Sequence, residues 1–232
     1  MRLYSYWRSS SAWRVRIALA YKQVPFELVT VHLVRDGGEQ HSRAFRDKNP
    51  LGQVPVLELD PRGGQRGVPE GVPEAVEAGG RLTQSMAIIE YLEERFPQPA
   101  LLPTEPLARA RARQCAETVN AGIQPFQNIA LQAALRERGL DPLPLVRDFI
   151  RKGLTALEEL ARAGGGPFMV GAAPTYADVY LVPQLHASRR MGVDVQPFST
   201  LLAIEHACQA LPAFQAAHAD AQPDREAPPP AT

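Results

Sequence analysis

The spacing of apolar positions changes once along the chain. Up to about residue 96 strand-like and helix-like stretches alternate, and beyond about residue 106 only helical spacing remains. Leu3, Tyr4 and Tyr6 predict a strand over 2–6. Trp13, Val15, Ile17, Ala18 and Leu19 predict a helix over 10–22, and Phe26-Glu-Leu-Val-Thr-Val31 alternates as a second strand. A β-α-β opening of this kind predicts parallel pairing. A short helix around 42–48 ends at Asn49-Pro50, because proline disfavours the helical conformation in the residue before it. Gln53-Val-Pro-Val-Leu-Glu-Leu59 and Arg81-Leu-Thr83 are predicted as a strand hairpin, followed by a helix over 85–96. The segment 61–80 between them is rich in glycine and proline, has no aromatic residue and no helical period, and is read as a solvated loop insertion.

Residues 97–106 contain Pro97, Pro99, Pro103 and Pro106 and are expected to link two domains. Helices are then expected over Leu107–Leu135, Leu143–Arg162, Val179–Arg190 and Pro212–Ala217. Gly164-Gly-Gly-Pro167 forms a break, and Thr175-Tyr-Ala-Asp178 a capping box in which Asp takes the usual Glu or Gln place. The expected organisation is an α+β chain: a domain over 1–96 with the 61–80 insertion, a linker over 97–106, and an all-helical domain over 107–232 with a disordered proline-rich tail.

Composition narrows the partners. The 25 basic and 25 acidic residues cancel, which argues against nucleic acid or an anionic membrane and for a small molecule. No apolar run reaches the roughly 18 residues that span a bilayer, and Met1-Arg-Leu-Tyr leads into a strand rather than a signal peptide, so a cytoplasmic location is expected. Cys115 and Cys208 lack Cys-x-x-Cys spacing and the five histidines form no helical pair, so no metal is expected.

The candidate chemistry lies in Arg8-Ser-Ser-Ser-Ala-Trp-Arg-Val-Arg-Ile-Ala-Leu19, where three hydroxyls separate the first strand from the first helix. A helix N-terminus carries unpaired N–H groups and partial positive charge, so an anion such as a thiolate is stabilised there. As bare residues, one capping serine and two spacers also account for the run. The whole segment resembles the zeta-class glutathione transferases, the family containing maleylacetoacetate isomerase, whose signature reads Ser-Ser-Cys-x-x-Arg-Val-Arg-Ile-Ala. Ser9, Ser10, Arg14, Val15, Arg16, Ile17 and Ala18 match it, and Ile123-Gln-Pro-Phe-Gln-Asn128 is a second match. Ser11 stands at the cysteine position, which leaves bound glutathione as the sulfur nucleophile.

The resemblance implies a thioredoxin-like N-terminal domain with a mixed four-stranded sheet, an all-α C-terminal domain, and a homodimer. It implies that Ser9 donates to the glutathione sulfur with Ser10 and Ser11 beside it, and that Gln40 reaches the glycyl end. It also implies that Val54 pairs through its backbone before a cis Pro55, and that Gln84 and Ser85 grip the γ-glutamyl carboxylate. Gln124 and Asn128 are expected to face the cleft, and Arg8 and Arg190 to bind substrate carboxylates, with Arg109 and Arg113 as weaker candidates. Without the resemblance these are an edge proline, a capping serine, surface amides and solvated arginines. The implied reaction is cis–trans isomerisation of maleylacetoacetate in tyrosine and phenylalanine breakdown by reversible thiolate addition, with glutathione regenerated. Maleylpyruvate isomerisation in gentisate breakdown and transfer to α-haloacids are the alternatives. A non-catalytic interaction module is disfavoured by the intact set Ser9, Val54, Gln84 and Ser85.

Overall fold

Strand β1 (Arg2–Ser5) lies inside a four-stranded sheet of order β2-β1-β3-β4, pairing parallel with β2 (Glu27–Thr30) and antiparallel with β3 (Val56–Glu58), which in turn pairs antiparallel with β4 (Arg81–Thr83). This is a computed structural model that describes residues 1–59 and 80–225. The parallel pair is joined through helix α1 (Ser10–Tyr21), and a single turn α2 (Arg43–Arg46) precedes β3. Helix α3 (Ser85–Arg95) follows β4 and packs on α1. Strand register aligns Leu28, Leu3, Leu57 and Leu82 in one row across all four strands, and Leu3 and Leu57 are fully buried. Because side chains alternate along a strand, Tyr4 and Val56 fall on the opposite face, where they cluster with Tyr6, Ala12, Val31, Phe45 and Val54. Truncating a residue such as Leu57 to Ala costs about 2–5 kcal/mol.

The chain forms two compact units, Met1–Pro99 joined by the segment from Ala213 onward, and Ala100–Pro212. This departs from the expected division at both ends. The prolines of 97–106 do not act as a loose tether. Lys22, whose side chain is buried, donates to Phe96 O at 2.7 Å and Pro99 O at 3.0 Å and pairs with Glu93 at 2.6 Å, fixing the first half of the segment to the first unit. Leu101 and Leu102 are buried in the second unit, where Tyr176 N–H donates to Leu101 O at 3.0 Å. The segment after 212 was expected to stay with the helical domain and end disordered, yet its described part folds onto the first unit. Phe214, Ala217 and Ala219 are buried there, and the His218 ring meets Trp13 edge-on at 4.8 Å. Apart from Gly80, the 61–80 insertion lies outside the described residues, as does the tail beyond residue 225. Leu59 N–H donates to Gly80 O at 2.8 Å across the base of the insertion.

The second unit contains α4 (Pro106–Asn120), α5 (Ile129–Glu137), α6 (Leu143–Arg162), α7 (Tyr176–Arg190) and α8 (Ser199–Gln209). Helix α9 (Pro212–Ala217) runs from its last residue into the first unit. The single helix expected over Leu107–Leu135 is two helices separated by a 3-10 turn at Gln124–Gln127. Pro125 has no N–H for an intrahelical bond and its ring obstructs the preceding turn, so the α-helix cannot run through it. Gly153 on α6 permits Ile123 to approach closely, since a Cβ at Gly153 would collide with Ile123 Cδ1. Helix α8 was not foreseen as a separate element. Glu158 of α6 accepts from the N–H groups of Thr200 and Leu201 at its start, at 3.1 and 3.0 Å. Burial acts to raise the Glu158 carboxyl, but the bonds from Thr200 and Leu201 prevail and hold it below its usual value. The Thr175–Asp178 capping box forms as expected, with Asp178 accepting from Thr175 N at 2.7 Å and Thr175 Oγ1 at 2.9 Å.

Candidate active site

Ser9 is the N-cap of α1: its backbone is extended at φ −72°, ψ 111°, and its Oγ accepts from Ala12 N–H at 3.2 Å. Accepting through a lone pair leaves the Ser9 hydroxyl hydrogen available to donate elsewhere. Ser10 and Ser11 occupy the first turn, where backbone N–H groups have no carbonyl four residues back to pair with, and both are half-buried. Three donors are therefore gathered at the positive end of one helix. Chemically this is a site for an anion.

Arg8 stands beside it, with its guanidinium carbon 5.9 Å from the Tyr6 ring centre and 5.7 Å from that of Trp7. The Val54–Pro55 peptide is cis, and no hydrogen bond among the described residues uses the Val54 N–H or C=O. Gln40 is buried in the 3-10 turn Glu39–His41, where its Nε2 donates to Leu33 O at 3.1 Å. Its Oε1 is buried without a hydrogen-bond partner. What Gln40 lacks is a donor, so a peptide N–H suits it better than a carboxylate.

At α3 the N-cap is Gln84, exposed and held at φ 68°, ψ 117°, a positive φ uncommon outside glycine. The expectation that Ser85 caps this helix is not met. Ser85 is the first helical residue, is buried, and its Oγ accepts from Arg14 Nη1 at 3.3 Å. A buried guanidinium thus backs the start of α3, which favours an anion there.

Other sequence-predicted residues lie in the second unit. Gln124 opens the 3-10 turn and is half-buried. Asn128 caps α5, its Oδ1 accepting from Ala130 N–H at 2.8 Å, so its carbonyl is committed to the helix end. Beside them Gln127 and Gln184 are buried and exchange amide hydrogen bonds at 3.0 and 3.2 Å. Arg190 is exposed in the last turn of α7, next to Arg189, which forms a two-pronged pair with Glu205. Of the weaker candidates, Arg109 donates to Pro103 O at 3.0 Å and Arg113 lies 6.0 Å from the Tyr176 ring centre.

Two residues matched in the sequence motif but given no role are Arg14 and Arg16, which are 0% and 1% exposed. A signal was present: they sit among Trp13, Val15, Ile17, Ala18 and Leu19 on a helix whose apolar residues leave no solvent face. Burial pushes the Cys115 thiol up to about 11 and raises Cys208 further, so neither competes as a nucleophile.

The family model for the glutathione S-transferase N-terminal domain matches residues 3–100 and that for the C-terminal domain residues 130–229. The chain belongs to the glutathione S-transferase family. Within it, the chain is similar to maleylacetoacetate isomerase of Pseudomonas aeruginosa, at 42% identity over 98% of this chain and 100% of that one. A crystal structure of maleylacetoacetate isomerase from Anaeromyxobacter dehalogenans, with bound dicarboxyethyl glutathione and citrate in the active site, is 47% identical. It covers 99% of this chain and 94% of its own, with a TM-score of 0.81. The holo structure of a bacterial zeta-class maleyl pyruvate isomerase is 38% identical over 97% of this chain and 100% of its own, with a TM-score of 0.85.

Proposed function

We propose that this chain is a glutathione-dependent cis–trans isomerase whose substrate is maleylacetoacetate. The observation that carries the reading is the A. dehalogenans relative, whose active site holds glutathione bearing a dicarboxyethyl group. The residues of the first unit fit the tripeptide. An anion-stabilising helix start stands at Ser9–Ser11, a polar backbone edge at Val54, an orphaned buried acceptor at Gln40, and a second helix start backed by Arg14 at Gln84–Ser85. When bound, glutathione supplies a thiolate that adds reversibly to an activated alkene, so that the double bond becomes one that can rotate.

The chain's own part begins with the thiol. A free thiol titrates near 8.5, and lowering it by roughly two units requires about 2.7 kcal/mol of preference for the anion. Ser9 donates its O–H to the sulfur, and the Ser10 and Ser11 N–H groups at the positive end of α1 contribute the rest. Val54 N–H and C=O hold the cysteinyl backbone, while Gln84 and Ser85 hold the γ-glutamyl carboxylate. The zeta-class reading also assigns Gln124 and Asn128 to binding. Arg8 and Arg190 orient the two substrate carboxylates, for which the planar guanidinium fork is suited. With the zeta-class reading go a homodimeric state and a cytoplasmic location.

The purified protein should isomerise maleylacetoacetate only when glutathione is added, with glutathione recovered unchanged. Release of halide from α-haloacids without isomerisation of either diacid would overturn the proposal. Maleylpyruvate is the second reading, favoured by the likeness to the maleyl pyruvate isomerase, and relative kcat/KM for the two diacids decides between them.

A further inference from the structure

The serine motif is held from both sides by a device that the proposed function does not use. The carbonyl of Trp7, two residues before Ser9, accepts from Arg16 Nη2 at 3.0 Å, and the carbonyl of Tyr6 accepts from Arg16 Nη1 at 3.3 Å. Tyr6 O also accepts from Ser9 N–H at 3.0 Å, closing the turn that sets Ser9 as the cap of α1. The Trp7 N–H, in contrast, reaches a residue 217 positions away: it donates to Asp224 Oδ2 at 2.9 Å. The same C-terminal segment accepts from Arg16 Nε at Ala217 O, at 3.2 Å. It is itself folded: Gln222 Nε2 donates to Ala216 O at 3.0 Å and His218 O at 2.8 Å, and Arg225 pairs with Asp220 at 2.8 Å. Arg16 is buried, and burial pulls its guanidinium down to about 10 while the Asp224 charge acts in the opposite direction, so it remains charged at neutral pH.

We infer that Asp224 is a positioning residue: it holds the Tyr6–Trp7 peptide by its N–H while Arg16 holds that peptide's C=O and the carbonyl of Trp7, and the fixed backbone sets the Ser9 turn for glutathione. The C-terminal segment is then a working part of the glutathione domain. This rests on the glutathione reading of the Ser9 site. The bond is part-buried, since Trp7 and Asp224 are both half-buried and the second carboxylate oxygen, Oδ1, is buried, so water replaces it less readily than it would a surface contact.

The test compares wild type, Asp224→Ala and Asp224→Asn, all full length. Asparagine keeps an acceptor oxygen for Trp7 N–H, and alanine does not. Amide hydrogen exchange at Trp7, read by NMR without ligand, should speed up by about tenfold or more in Asp224→Ala, the size expected for losing a bond to a charged acceptor. Glutathione should bind severalfold more weakly to that variant by calorimetry, with global melting little changed, and Asp224→Asn should restore both readouts most of the way. Unchanged Trp7 exchange in Asp224→Ala would overturn the clamp itself. Faster exchange with wild-type glutathione affinity would overturn its positioning role. Because neither readout requires turnover, failure of the isomerase reading shows separately, as a wild type that binds glutathione but isomerises neither diacid.

Discussion

The Arg14 guanidinium, buried in α1, donates from Nη1 to the hydroxyl of Ser85 at the first position of α3, at 3.3 Å. One hydrogen bond thus ties the second turn of α1 to the start of α3, within the unit that carries the candidate glutathione site. Ser85→Ala removes one acceptor from a buried cation as well as a group assigned to the γ-glutamyl carboxylate. The expected outcome is a loss of about 1–3 kcal/mol of stability together with weaker glutathione binding. Urea unfolding and calorimetric titration measure the two separately, and a fall in affinity with no change in stability would leave Arg14 without a role through Ser85.

Gln84 has the opposite balance. Its φ of 68° and ψ of 117° cost a non-glycine residue about 1–3 kcal/mol, part of which glycine recovers at the expense of unfolded-state entropy. Gln84→Gly should therefore be as stable as the wild type or more so, by up to about 1 kcal/mol, while binding glutathione more weakly. Urea midpoints and glutathione titration check this. A destabilised variant would mean that the side chain, despite its exposure, supports the turn.

Ser9 combines a structural and a chemical role, and two substitutions separate them. Ser9→Ala loses the bond to Ala12 N–H, worth about 1 kcal/mol, and the donor to sulfur, so turnover should fall by about tenfold or more. Ser9→Thr keeps both groups and should keep the cap and much of the rate. The acid limb of the pH–rate profile should move to higher pH in Ser9→Ala, because the thiolate has lost a donor. Its staying in place would remove Ser9 from thiolate stabilisation.

Burial pushes the Asp178 carboxyl up to about 6 from 3.8, against the pull of its bonds from Met169 and Thr175. Between those values the folded protein keeps a proton that the unfolded chain releases. The stability this site contributes is thus full below about pH 4 and is lost as the pH rises through about 6. Relative to Asp178→Asn, wild type should gain about 1 kcal/mol on going from about pH 7 to about pH 5. Urea midpoints of both proteins at the two pH values test it, and a gap that does not change with pH would show that Asp178 titrates near its ordinary value.

Cys115 and Cys208 are buried and their thiols are raised, so the native protein should react slowly with a thiol reagent and expose both groups only on unfolding. Ser11→Cys should introduce one fast-reacting thiol, because the new side chain sits at the anion-stabilising end of α1. Equal rates in the two proteins would show that this helix end does not activate a sulfur.

The strands and most helices were legible because each has its own apolar period, and helix Leu143–Arg162 and strand Arg81–Thr83 lie where that period places them. The hydroxyls at the start of α1 and the Thr175–Asp178 box could be read locally, since a cap involves residues three or four apart. Ser85 as a partner of Arg14 and the return of Asp224 to Trp7 could not, because each joins residues 71 or more positions apart. Pro125 was visible as a proline, but the 3-10 turn at Gln124–Gln127 that separates α4 from α5 was not anticipated. The sequence by itself determined the strands, most of the helices and the caps at Ser9 and Thr175, which follow from backbone periodicity and from contacts between near neighbours. Only the tertiary structure decided which helix start a buried cation backs and where the C-terminal segment lies, because those depend on desolvation and on contacts between distant parts of the chain.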